Sequence, residues 1–240
     1  MPLYSIYTYG LTQKGDIEAE EYLKQYDIEL TIAEDTVEID IPYISQEGEF
    51  PNGCEAVSAV MMLQRLGFDV TPGEFIDEYL KCEDTYIKWG CRYGPNPKEA
   101  YVGDPRDEDG GFGCFAPVIA DALNEYLPEG YTAYNTTGMS LKVIKSNFLD
   151  RGIPVAVWVT VEMKAVDKIL QWQSYDKEET YLYPANEHCM VLVGYTEDTY
   201  IFADPYGSKG IVAYPSDDTV LAFNSLGMQS VVIISSDMRR

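Results

Sequence analysis

The run from Glu187 to Asp204 restricts this chain more than any other stretch. Met190, Val191, Leu192 and Val193, then Ile201, Phe202 and Ala203, form two short apolar stretches across a polar turn, the pattern of two strands in a hairpin. The first strand carries the chain's single histidine, His188, and the second ends on Asp204. Each lies eight residues from Thr196, so an antiparallel pairing centred there predicts them nearly opposite. Their Cβ atoms would then be about 4.5–5.5 Å apart, a distance at which a carboxylate orients an imidazole. Any cysteine–histidine chemistry has to run through His188, because no second imidazole exists to act as base.

Of the five cysteines, Cys54 has the most suggestive setting. It closes a turn-rich stretch from Glu47 to Gly53 and opens a helical pattern. Ala56, Val57, Val60, Met61 and Leu63 supply the apolar face and Gly67 the stop. Asn52, with Glu55 three residues on, has the form of a capping box. A thiol in the first turn faces unpaired N–H groups and the positive end of the helix dipole, which predicts a lowered pKa. Gln46, eight residues upstream, is placed to offer its side-chain amide to an oxyanion, with the Cys54 backbone N–H as second donor. Together the residues fill every role of a thiol hydrolase. Cys54 is the nucleophile, His188 the base and later the acid, Asp204 the orienter and Gln46 the oxyanion donor. Singly, each has an ordinary alternative: a core cysteine or half of a disulfide, a structural histidine, an Asp-Pro turn.

The combination resembles the papain-like cysteine peptidases of the bacteriocin-processing type, whose domain in transporters cuts double-glycine leaders. The matching residues are Gln46 with Asn52-Gly53-Cys54-Glu55-Ala56, the strand from Glu187 to Tyr195, and Ala203-Asp204-Pro205-Tyr206-Gly207. The resemblance spans roughly residues 37–235 and is strongest to stand-alone bacterial members without a transporter. These share blocks like Tyr101-Val102-Gly103-Asp104-Pro105 and Gly113-Cys114-Phe115-Ala116-Pro117. It implies a papain-like α+β fold, hydrolysis of a peptide bond, and a peptide or protein substrate. Glu55 departs from the family, since leader-cutting domains carry glycine after the cysteine, so double-glycine specificity does not carry over. Two alternatives remain open, acyl transfer on the same fold and a peptide-binding module that has lost turnover.

Asp and Glu number 40 against 17 Lys and Arg, a formal charge of −23, which argues against nucleic acid and anionic membranes as partners. No run reaches the roughly 18 apolar residues of a membrane span, and Met1-Pro2-Leu3-Tyr4 does not open a signal peptide. Residues 1–35, acidic and tyrosine-bearing, read as a tail or a linker from an anchor, and 36–240 as the peptidase domain. A secreted or cell-surface location in a bacterium is expected, with the cytoplasm open. Cys82, Cys91 and Cys114 allow three alternative single disulfides or free thiols. Cys189 must face away from His188, toward the core. There is no CxxC pair for zinc and no glycine motif for a phosphate-bearing cofactor, so neither metal nor cofactor is expected.

Thr36 to Ile41 alternates as a strand, and Thr71-Pro72-Gly73-Glu74 opens a helix to about Leu80. Residues 83–113 and 162–186 read as insert loops rich in Tyr and Trp, with the first able to roof a groove. Helices are predicted over Phe115–Leu127, over Ser140–Asp150 and from near Ser216, with strands at Ile153–Thr160, Ile211–Tyr214 and Met228–Ile234. Helices first and an antiparallel sheet last define an α+β domain, with a cleft between the Cys54 helix and the sheet.

Overall fold

The computed structural model describes residues 36–236, so the proposed tail over 1–35 lies outside the described residues. Strand β1 (Val37–Glu38) leads to helices α1 (Cys54–Arg65) and α2 (Pro72–Glu78). Four short strands follow: β2 (Cys82–Glu83), β3 (Tyr86–Lys88), β4 (Cys91–Tyr93) and β5 (Tyr101–Val102). Then come α3 (Ala116–Tyr126), β6 (Tyr131–Asn135), α4 (Leu141–Asn147) and β7 (Val155–Thr160). The C-terminal part holds β8 (Ile169–Gln173), β9 (Thr180–Pro184), β10 (Glu187–Tyr195), β11 (Thr199–Asp204), β12 (Gly210–Pro215), α5 (Ser216–Ser225) and β13 (Ser230–Ser235).

The main sheet is antiparallel, in the order β12-β11-β10-β7-β13-β6, with β1 added to the end of β10. Strands β7 and β10 have neighbours on both edges and read as continuous apolar runs, because both of their faces are covered. Helix α1 lies against these two strands and is also packed by α2 and α3. Every residue from Cys54 to Leu63 is buried, so α1 is an enclosed central helix, whereas its sequence predicted one apolar face.

Two local expectations at the start of α1 are corrected. Its N-cap is Gly53, which makes no side-chain cap, and a Cβ there would lie 2.7 Å from that of Phe50. Asn52 instead donates to the Asp107 carbonyl at 2.7 Å, and the Glu55 carboxyl turns to the Cys114 N–H. Long-range backbone partners have displaced the local cap. At α2 the predicted capping box forms, with Thr71 and Glu74 bonded reciprocally.

The hairpin register also differs. Thr196 N–H donates to the Thr199 carbonyl, so the turn centres between Glu197 and Asp198, and a bulge falls between Leu192 and Gly194. Val191 pairs with Ala203 and Leu192 with Phe202, which places Asp204 across from Met190 and diagonal to His188. The turn moves the pairing by three residues and the bulge takes back one, a net shift of two, an even number that leaves both side chains on one face.

The insert loops carry short strands. They pair with each other as a second sheet, β3-β4-β8-β9, joined where Tyr93 meets Gln173. Beneath it Trp172 and Tyr183 are buried with Val102, and the Trp172 indole donates to the Pro95 carbonyl at 2.8 Å. All five cysteines are free thiols, with Cys82 and Cys91 exposed and Cys114 buried. Among the described residues, no helix is long and apolar enough to cross a membrane.

Candidate active site

His188 enters the site from the start of β10, and its ring is 3% exposed at the residue level. Nε2 lies 2.7 Å from Asp204 Oδ1, which also accepts the Tyr206 N–H at 3.0 Å. Lys209 Nζ stands 3.7 Å from the other carboxylate oxygen, and the Tyr206 ring meets the imidazole edge-on at 5.9 Å. Burial raises the Asp204 pKa, but the bond from His188, its positive form, the Tyr206 N–H and Lys209 outweigh it and hold the carboxyl below its ordinary range. With Nε2 bound to a carboxylate, Nδ1 is the ring nitrogen available for proton transfer.

Cys54 is the first residue of α1, and its sulfur accepts the Cys189 N–H at 3.4 Å. The thiol therefore docks on β10 one residue past His188. Ser58, one turn along α1, donates to the Cys189 carbonyl at 3.1 Å and fixes the helix on that strand. Gln46 bridges the two halves of the site. Its backbone N–H donates to the Pro205 carbonyl at 3.0 Å, beside Asp204, while its side-chain Nε2 donates to the Pro51 carbonyl at 2.7 Å, ahead of Cys54. That bond uses one of the two amide hydrogens, and Oε1 is buried without a partner among the described residues.

The predicted low thiol pKa is overturned. The Cys54 S–H donates to Glu55 Oε2 at 3.2 Å, and no hydrogen bond joins Cys54 to His188 among the described residues. Burial pushes the thiol well above its ordinary value, and Glu55, Glu187 and Cys189 push it further, against a lowering by the Cys189 N–H. The magnitudes decide this: a helix terminus contributes about 0.3–1 kcal/mol, whereas full burial shifts a group by up to roughly 3–5 pK units.

Sequence reasoning missed the acid pair responsible. Glu55 follows Cys54 and Glu187 precedes His188, so the signal was adjacency to both candidate residues. The sulfur of Cys54 and oxygens of Glu55 and Glu187 lie within 4.8 Å of one another. Glu187 accepts the Tyr183 hydroxyl at 2.8 Å, and Tyr183 stacks on Phe115 at 5.0 Å between ring centres. Phe115 in turn lines a cleft of about 520 Å³ bounded by Asn96, Pro97, Lys98 and residues 179–182.

A thiol-bearing central helix on an antiparallel sheet, with a buried histidine–carboxylate pair on that sheet, defines the papain-like cysteine peptidase fold. Within that class the chain belongs to the Peptidase_C39-like family, whose profile matches residues 38–231. It is 30% identical over 185 residues to uncharacterized protein YvpB of Bacillus subtilis (strain 168), covering 76% of this chain and 69% of that protein. Among solved structures, a candidate C39-like peptidase from Bacillus anthracis superposes with a TM-score of 0.73 at 26% identity, over 84% of this chain and 98% of that one. A double-glycine-motif protease from an AMS/PCAT transporter, solved with its leader peptide, matches 82% of this chain and 92% of its own at 14% identity and a TM-score of 0.43.

Proposed function

We propose that the protein is a cysteine peptidase that cleaves a peptide or protein substrate through an acyl-enzyme on Cys54. The observation that carries this reading is the 2.7 Å His188–Asp204 bond on the same strand whose next residue holds the Cys54 sulfur. In acylation the Cys54 proton passes to His188 Nδ1 while the sulfur attacks the scissile carbonyl carbon. The developing oxyanion takes the Cys54 backbone N–H and the second amide hydrogen of Gln46. The imidazolium then protonates the leaving amine. In deacylation His188 takes a proton from water, hydroxide attacks the thioester, and the proton returns to the departing sulfur. Asp204 holds the Nε2–H tautomer throughout. The cleft beside Phe115 and Tyr181 is a subsite for substrate side chains.

The test is hydrolysis of a mixed peptide library followed by mass spectrometry, with Cys54→Ser and His188→Ala in parallel. Cleavage by the wild type, with a loss of at least about 10³-fold in each variant, is expected. Cleavage that survives both variants sinks the reading. The Cys54–Glu55 bond favours a second one, a peptide-binding module with a quiescent thiol. Saturable peptide binding without turnover at any pH would establish it. Transfer of the acyl group to an added amine in preference to water would make the enzyme an acyltransferase.

A further inference from the structure

Glu55 is fully buried, and a glutamate is almost never so without a dedicated partner. Its two oxygens are both engaged: Oε1 accepts the Cys114 N–H at 2.6 Å and Oε2 the Cys54 S–H at 3.2 Å. Across from it stands Glu187, one of whose oxygens accepts Tyr183 while the other is buried with no partner among the described residues. The backbone makes room for this cluster. A Cβ on Gly113 would lie 2.2 Å from the Tyr183 hydroxyl, 2.7 Å from Glu55 Oε1 and 3.1 Å from Glu187 Oε2. Two carboxyls this close, one on a fully buried residue and the other on a half-buried one with a buried oxygen, cannot both ionise near neutral pH.

We propose that Glu55 is a positioning residue for Cys54: its carboxyl holds the thiol, and its charge decides whether the sulfur can surrender its proton. This rests on the cysteine-peptidase reading of the site. Ionised, Glu55 accepts the S–H bond and opposes a thiolate by direct repulsion. Neutral, it carries no opposing charge, and its own O–H can turn to donate to the sulfur as the Cys54 proton leaves for His188. No proton is created or lost, because Glu55 keeps its own throughout acylation.

The groups facing Glu55 decide when this change occurs. They are Cys54 on α1, Cys114 before α3, Tyr101 on β5, Tyr183 on β9, and Glu187 and Cys189 on β10, with Cys82 on β2 more distant. Burial raises all of these thiols and phenols above their ordinary values, so they stay neutral through the physiological range. Glu55 itself is pushed up to about 7 by burial, against the bonds from the Cys114 N–H, its own N–H and the thiol. Glu187 is raised as well, by burial and then by Glu55. Both Glu55 oxygens accept hydrogen bonds, whereas Glu187 Oε1 has no partner among the described residues, so Glu55 is the acid that ionises first.

The experiment is the second-order rate of Cys54 alkylation by iodoacetamide between pH 5 and 9, with peptide mapping, for the full chain and for Glu55→Gln and Glu187→Gln. Glutamine keeps an acceptor for Cys114 and a donor for the sulfur but cannot ionise. The Glu55→Gln to wild-type rate ratio is expected near one at pH 5.5 and at least about tenfold at pH 8, the effect of a like charge worth one pK unit or more. Glu187→Gln should keep the wild-type pH dependence. A ratio that stays constant with pH assigns Glu55 a purely structural role and overturns the proposal, as does slower labelling of Glu55→Gln at every pH. Should Glu55→Gln not fold, the wild type answers by infrared spectroscopy. The Cys54 S–H stretch, identified by its loss in Cys54→Ser, should shift with a midpoint near the Glu55 titration, and an S–H band unchanged across that range overturns the proposal. Neither readout needs turnover, so a failure to cleave peptides and a failure of this proposal are separate results.

Discussion

At the residue scale the site depends on which atom each polar group meets. Asp204 accepts the His188 Nε2–H, a bond that an amide oxygen can also accept. Asp204→Asn is therefore expected to cost about tenfold in kcat/KM, and Asp204→Leu, which leaves Nε2 buried and unpaired, at least about 10²-fold. Steady-state kinetics on one cleaved peptide separates the two. Gly113→Ala tests the acid cluster by volume, since its φ of 118° disfavours any side chain and its neighbours leave no space. A loss of at least about 3 kcal/mol in urea unfolding is expected. The pairing of His188 with Asp204 was legible in the sequence because both sit on apolar strands of one hairpin. Glu55 was legible only as an oddity, because a charged side chain in a helical first turn is normally solvated.

At the element scale, the strongest patterns gave the right elements. Six-residue apolar strands such as β7, and the Thr71–Glu74 box of α2, carry their signal within a few neighbouring positions. Strands β3, β4, β8 and β9 do not, since they run only three to five residues and their two local hairpins become one sheet only through the distant pairing of β4 with β8. Strand β6 was missed for a similar reason: its five residues, half-exposed, stand at the sheet edge beside β13. The small sheet depends on Trp172, which is 1% exposed. Trp172→Ala is expected to cost about 3–5 kcal/mol locally. Hydrogen exchange should then rise across residues 86–93 and 169–184 while β7 and β10 keep their protection. Uniform loss would show instead that the two sheets unfold as one unit.

At the scale of the whole molecule, buried acids shape stability against pH. Glu55 and Glu187 have folded-state pKa values above their unfolded ones, so what they contribute is fully present below about pH 4.5 and is lost as pH rises through each folded value, which for Glu55 is about 7. Asp204 is lowered, so its contribution is present above its ordinary value and lost as pH falls through the still lower folded one. Repulsion within a chain of net charge −23 weakens the fold in the same direction as the acid pair. The melting temperature is expected to peak between about pH 4 and 6 and to fall toward pH 8. Glu187→Gln should reduce that fall, and a flat profile in the wild type would refute the assignment of buried acids.

The sequence alone determined the α+β class, the helix opening on Cys54 and the strand carrying His188, because each is written in local periodicity and end signals. It also placed His188 and Asp204 on neighbouring strands of one hairpin, but the bulge, by making the register step even, is what leaves them on one face. Only the tertiary structure decided that the hairpin is bulged, that two distant inserts pair as a sheet, and that Cys54 is a buried thiol held by Glu55. Desolvation and the approach of two carboxyls depend on which segments surround an atom in space, and the order of residues along the chain does not contain that quantity.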